Sequence, residues 1–186
     1  MEVLYEDNHL IAVCKKASDI VQGDKTEDKP LVEEVKEYVK QKYNKPGEVF
    51  LGVIHRLDRP VGGVVIFART SKALVRMNAM FQDKTVQKTY WAIVEQSLPE
   101  EEGTLIHYLK KNQEKNKSRA YDEPVKESKI SELDYRLLGR TKNYHFVEVK
   151  PKTGRHHQIR VQLSHIGCPI KGDVKYGGKR TNRDGS

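Results

Sequence analysis

The run Val53-Ile54-His55-Arg56-Leu57-Asp58-Arg59-Pro60-Val61-Gly62-Gly63-Val64-Val65-Ile66-Phe67 places two apolar segments on either side of a polar turn. Val49 to Ile54 and Gly63 to Ala68 read as strands, since each is a short apolar run flanked by turn formers. The turn holds three basic residues and one carboxylate. Pro60, Gly62 and Gly63 make it tight and let the backbone approach a partner closely. With Arg56 and Arg59 nearby, Asp58 is expected to stay ionised, and an ionised carboxylate is what a sugar-directed nucleophile has to be. The same residues also read as a surface turn with a local ion pair, and spacing alone leaves both readings open.

Outward from this turn, Val3-Leu4-Tyr5 and Leu10-Ile11-Ala12-Val13 read as a strand pair joined at Asp7-Asn8. Leu31, Val35, Tyr38, Val39 and Tyr43 share one face of a helix that starts at Pro30 and is stopped by Pro46-Gly47. Thr70 or Ser71 caps a second helix with Ala73, Leu74, Met77 and Phe81 on its buried face. Tyr90 to Val94 reads as a further strand, followed by an acidic turn at Glu100-Glu101-Glu102. Lys110 to Arg119 holds five basic residues and no apolar ones, which predicts an exposed loop. Ser131 to Leu138 and Tyr144 to Val149 form a hairpin around Gly139 to Asn143. A third helix follows Gly154, with Ile159, Leu163 and Ile166 at helical spacing, and Gly167 and Pro169 end it. Strands dominate without regular alternation with helices, so the class is α+β with a mixed, mainly antiparallel sheet.

A second polar cluster, Thr153-Gly154-Arg155-His156-His157-Gln158-Ile159-Arg160-Val161-Gln162, packs donors onto a helix start, where a phosphate or carboxylate can be held. Arg160 is the candidate for a salt bridge to an active-site acid, because its planar fork suits a bidentate carboxylate. A solvated helix face is the competing reading. Tyr90 and Trp91 begin a strand, so one faces the core and the other the opposite side. His156, His157 and His165 form no His-x3-His pair and have no thiolate or carboxylate at ligand spacing, so no metal is expected.

The chain's 186 residues suit one domain. Lys and Arg outnumber Asp and Glu by 34 to 26, giving a formal charge of +8 that favours a polyanionic partner. No stretch is apolar enough for a transmembrane helix, and the N-terminus lacks signal-peptide features, which leads to a cytoplasmic expectation. Cys14 and Cys168 lie in unrelated contexts and read as reduced, inert thiols.

Taken together the two clusters resemble the RluA-type RNA pseudouridine synthase family. The resemblance rests on His55-Arg56-Leu57-Asp58 with Gly63 and the strand to Ala68-Arg69-Thr70. It continues through Lys88-Thr89-Tyr90-Trp91-Ala92-Ile93-Val94, Gly154-Arg155-His156-His157-Gln158-Ile159-Arg160 and Gly172-Asp173-Val174-Lys175-Tyr176-Gly177. Tyr5 to Lys15 is similar to the family's opening strands. Two positions depart from the pattern: Lys16 stands where proline is common, and His156 where threonine is common.

The resemblance implies a single catalytic domain over residues 1–186, α+β, with a bent mixed, mainly antiparallel sheet and flanking helices. It implies Asp58 as the catalytic aspartate, Tyr90 as the residue stacking on the target base, and Arg160 as the arginine pairing with Asp58. Arg56 corresponds to the arginine that opens the RNA and holds the flipped nucleotide. The expected activity is that of an isomerase making pseudouridine in structured RNA, rRNA or tRNA, as a monomer without cofactor, metal or membrane. Relatives continue beyond Thr181-Asn182-Arg183-Asp184-Gly185-Ser186 into a further strand, so the domain is expected to lack it, and no S4-type domain is expected before Met1. Two other classes remain in play, an inert RNA-binding module of the same fold and a nucleoside or glycoside hydrolase. Against the hydrolase, no second carboxylate stands out as its acid partner.

Overall fold

The computed structural model describes residues 1–23 and 27–179, which divide into two compact units with a boundary after Thr85. In the first unit, β1 (Glu2–Glu6), β2 (Leu10–Lys15), β3 (Gly52–Val53) and β4 (Gly63–Ala68) form a four-stranded antiparallel sheet ordered β1-β2-β4-β3. The turn between β1 and β2 closes on Asp7, whose carboxylate accepts the N–H groups of His9 and Leu10 at 2.7 and 2.6 Å. That is how an Asp-Asn pair between two apolar runs makes a tight connection.

Helix α1 (Leu31–Lys42) follows Pro30 and lays Leu31, Val35 and Val39 against Ile11, Val13, Val65 and Phe67 of the sheet. Its far end is tied down by the buried Glu6 carboxylate, which meets Lys42 at 2.7 Å and Arg69 at 3.0 Å. Helix α2 (Ser71–Gln82) is capped by the Thr70 hydroxyl, which accepts the Ala73 N–H at 3.1 Å. Of its expected inner face only Ala73 is fully buried, while Leu74, Met77 and Phe81 are half-buried.

The strand expected over Val49 to Ile54 is shorter than its apolar run. Only Gly52 and Val53 pair with β4, opposite Ala68 and Phe67. At the next step the ladder is completed by a side chain, as the Ile66 N–H donates to Nε2 of His55 at 3.1 Å. Val49 and Leu51 still enter the core. Their apolarity reports burial, not pairing.

In the second unit, β5 (Tyr90–Val94), β6 (Glu102–Asn112), β7 (Lys117–Tyr121), β8 (Lys129–Arg140) and β9 (His145–Pro151) form a five-stranded antiparallel sheet ordered β5-β9-β8-β6-β7. Helix α3 (Gln158–His165) adds Leu163 to a core of Ala92, Val94, Leu133, Tyr135, Val147 and Val149. The α+β class is as expected, and every ladder among the described residues is antiparallel, in two sheets.

The exposed loop expected over Lys110 to Arg119 is instead the end of a hairpin, in which Lys110 pairs with Arg119 and Lys111 with Ser118. Its inward positions include Leu109, Ser118 and Ala120, and the solvent-accessible basic residues that dominate the composition hide the strand pattern. Cys14 and Cys168 are both free thiols. The terminal segment Thr181–Ser186, where a further strand is expected to be missing, lies outside the described residues.

Candidate active site

In the first unit the turn that carries Asp58 is held from beneath by a lysine. Lys15 ends β2 on the same inward alternation as Ile11 and Val13 and is only 1% exposed. Its ammonium donates to the carbonyls of Lys16, Arg59 and Val61 at 3.0, 3.0 and 2.7 Å. Three acceptors match the three donors of an ammonium, and charge-assisted bonds of this kind are the stronger ones. Burial pushes the Lys15 ammonium below its ordinary pKa range, while Asp19 and Asp58 act against that shift.

The turn closes on itself as well, with the Val61 N–H donating to the Asp58 carbonyl at 3.0 Å and the Ser18 N–H to the Arg59 carbonyl at 3.0 Å. Gly62 passes so near β2 that a Cβ there would stand 3.3 Å from the Lys15 carbonyl oxygen. Gly63 has φ +138°, a conformation that L side chains rarely adopt. Asp58 is therefore half-buried on a backbone fixed at both flanks, with Arg56 exposed on the same segment. His55 is a structural member of this turn: its Nε2 accepts the Ile66 N–H and its ring stacks on Phe81 at 5.2 Å. Arg59 pairs with Asp28 at 2.5 Å on the surface.

In the second unit, Tyr90 opens β5 opposite Val149 and packs against the core, half-buried, while Trp91 points the other way and is 70% exposed. Arg160 lies in α3 and makes a bidentate pair with Asp173, Nε to Oδ2 at 2.7 Å and Nη2 to Oδ1 at 2.8 Å. Its guanidinium also lies 5.1 Å from the centre of the Tyr176 ring. The segment Gly172 to Gly177 forms a 3-10 turn, and its two glycines have φ +87° and +102°. Gly178 then bends back so tightly that a Cβ there would meet the Asp173 nitrogen at 2.7 Å. The motif thus sets Asp173 and Tyr176 against α3.

The start of α3 is occupied by the protein's own groups. Gln158 Oε1 accepts from the Thr153 hydroxyl at 2.7 Å and the Arg155 N–H at 3.0 Å, and its Nε2 donates to the Glu132 carbonyl at 3.0 Å. His157 takes the left-handed conformation with φ 54° and bonds the Tyr176 hydroxyl through Nδ1 at 2.9 Å. His156 sits between the Ser118 hydroxyl at 2.9 Å and the Asn116 side chain at 3.0 Å. Gln158 accordingly braces the loop internally and is not part of the solvated face that the sequence offered.

Sequence reasoning passed over Lys15, Asp173 and Tyr176 as site residues. Lys15 had a usable signal, since period-two alternation from Ile11 and Val13 already placed it inward. A further group, His107, Asp122 and His165, brings three metal-ligating side chains together in the second unit, with donor atoms within 4.8 Å of one another.

Residues 9–165 match the family described as RNA pseudouridylate synthase. A tRNA pseudouridine synthase C of Vibrio parahaemolyticus is 32% identical over 197 residues, an overlap that takes in 98% of this chain and 76% of the relative. The ribosomal large subunit pseudouridine synthase C of Vibrio cholerae is 32% identical across 96% of this chain and 53% of its own length. The solved structure of human RNA pseudouridylate synthase domain containing 4 superposes with a TM-score of 0.79 at 24% identity, covering 94% of this chain and 68% of that one. That likeness establishes a shared pseudouridine synthase fold. The chain belongs to the RluA-type RNA pseudouridine synthase family, a family of isomerases that act on RNA. It spans about three quarters of the Vibrio parahaemolyticus relative and about half of the Vibrio cholerae one.

Proposed function

We propose that this chain converts selected uridines of a structured RNA, in tRNA or rRNA, to pseudouridine, with Asp58 as the carboxylate that acts at the sugar. The observation that carries the reading is the construction of the Asp58 turn: a buried ammonium grips its backbone carbonyls, and Arg56 stands exposed beside it. A surface turn with no task has little reason to bury a lysine beneath it, because removing an ammonium from water costs several kcal/mol.

The chemistry follows from the substrate. The target nucleotide has to leave the stack before C1′ and C5 can be reached, and Arg56 is assigned to holding the opened strand. The bond between N1 and C1′ then breaks, the uracil turns while Tyr90 stacks on it, and C5 bonds to C1′. Loss of the C5 proton, matched by protonation of N1, completes the isomerisation, with no net oxidation and no cofactor. A carboxylate that adds to C1′ and one that takes a sugar proton both have to be ionised. The net charge of +8 suits a phosphate-rich partner. No helix among the described residues is long and apolar enough to cross a membrane, and a monomer in the cytoplasm is the reading adopted.

The test is incubation of the full chain with tRNA and rRNA transcripts, followed by mass-spectrometric detection of pseudouridine, in parallel with Asp58→Asn. Product with the native chain and none with the variant supports the reading. Full activity in Asp58→Asn removes the role of Asp58. Salt-dependent RNA binding without product identifies an inert module, and release of free uracil identifies a hydrolase.

A further inference from the structure

Beyond the isomerase reading, and using none of its residues, we propose that His107, Asp122 and His165 form a binding site for one zinc ion, which ties the β6–β7 hairpin to α3. The three side chains come from three elements. The register that pairs Tyr108 with Tyr121 sets His107 of β6 across from Asp122, just past the end of β7. His165, the last residue of α3, reaches the same point. Its Nε2 lies 2.8 Å from Asp122 Oδ1, and His107 Nε2 lies 3.8 Å from the same oxygen. The imidazole rings meet edge to face with centroids 4.7 Å apart. In a zinc tetrahedron with bonds of about 2.0–2.1 Å, neighbouring donors are about 3.3 Å apart, so small side-chain rotations suffice.

The donor set fits zinc in kind as well as in spacing. Two imidazoles and one carboxylate are borderline ligands, and water completes four-coordination. Magnesium would instead require an octahedral set of oxygens. The His107 side chain is 9% exposed, His165 29% and Asp122 80%, so one ligand is fixed in the core and one is open to solvent for ion entry.

A second observation comes from the buried group behind His107. Gln162 is fully buried, and its Oε1 has no hydrogen-bond partner among the described residues. Its Nε2 faces three acceptors, the carbonyls of Leu105 and Ser131 and Nδ1 of His107, at 3.1, 3.2 and 3.1 Å. An amide nitrogen has only two hydrogens, so the group is mismatched on both atoms. A histidine that binds metal through Nε2 carries its proton on Nδ1 and needs an acceptor there. A half-turn of the Gln162 amide would set its oxygen against the Leu105 and Ser131 carbonyls, so ligation through Nε2 instead requires a shift of the Gln162 side chain that brings its unpartnered Oε1 to Nδ1. The Leu105 and Ser131 carbonyls remain in the β6–β8 ladder. Zinc also replaces the proton shared by His165 and Asp122, and that proton leaves to buffer.

The experiment is calorimetric titration of the metal-stripped full chain with Zn2+, together with Co2+ loading followed by visible absorption as a report on the donor set. One ion per chain is expected, with a tetrahedral cobalt spectrum and no competition from Mg2+. His165→Asn and Asp122→Asn should each weaken binding by more than about 100-fold, since removing a ligand exceeds the 10–100-fold cost of losing a supporting group. His9→Asn, at an exposed site elsewhere, should leave it unchanged. Circular dichroism of each variant separates lost binding from lost folding. Absence of binding by the native chain overturns the proposal, and so does binding that persists in folded His165→Asn and Asp122→Asn.

Discussion

The two units present their candidate functional side chains by opposite means. In the first, Asp58 is placed through the main chain: the Lys15 ammonium holds backbone carbonyls of its turn. In the second, Arg160 is placed through its own side chain, by the two-point pair with Asp173 and by the face of Tyr176. The difference teaches where substitution is silent in structure. A change at Asp58 should remove chemistry and spare the fold, while changes around Arg160 should disturb both together.

The largest effect tests the first half of that contrast. Asp58→Asn is expected to lower kcat by more than about 10³-fold, and its Tm should stay within about 2 °C of the native value, as for a substitution that leaves the packing intact. Turnover assays and a thermal melt check it, and a large fall in Tm would mean the carboxylate does hold the turn. Next is Lys15→Met, which keeps volume but strips three carbonyls of their donor. It should cost about 3 kcal/mol in urea denaturation, and displacement of the turn should lower kcat by about 100-fold.

Asp173→Asn should break the two-point pair, cost about 2–3 kcal/mol because both partners are largely buried, and lower kcat by about tenfold. Unchanged activity would indicate that Arg160 needs no second anchor. The smallest effect concerns pH. Burial alone would raise the Glu6 pKa, but its bonds from Lys42, Tyr43 and Tyr38 outweigh that and hold it below the ordinary 4.5. The unfolded chain then binds a proton that the folded chain does not, so this stabilisation is complete above about pH 4.5 and declines as pH falls through the lowered value. Denaturant midpoints measured down the acid limb should fall less steeply in Glu6→Gln.

The parts that were legible in the sequence are those where one periodicity acts alone. Gly63–Ala68 emerged with the bounds expected, as did the Asp7-Asn8 turn and the Thr70 cap, while the hairpin expected around Gly139 to Asn143 turns later, with Gly139 and Arg140 still paired in β8. What escaped were inward positions filled by polar residues. His107 and Ser118 face the interior of β6 and β7, so the hairpin does not alternate in hydropathy. Lys15, Gln158 and Gln162 are buried because each finds several partners across the fold, and pairings over such separations leave no mark on local sequence. Asp173 belonged to a motif already noticed, yet nothing in its spacing named Arg160 as its partner.

Trp91 carries a consequence of another sort. It is the chain's one tryptophan, it stands 70% exposed on β5 with Phe146 edge-on at 5.5 Å, and Tyr90 precedes it on the same strand. Tryptophan fluorescence of this protein therefore comes from a single, wet address next in sequence to the residue assigned to the target base. The native emission should already lie to the red, changing little in wavelength on unfolding, so that any change on adding RNA reports contact with the outer face of β5, opposite Tyr90. The molecule comes with its own optical probe for that face, and no label has to be attached to use it.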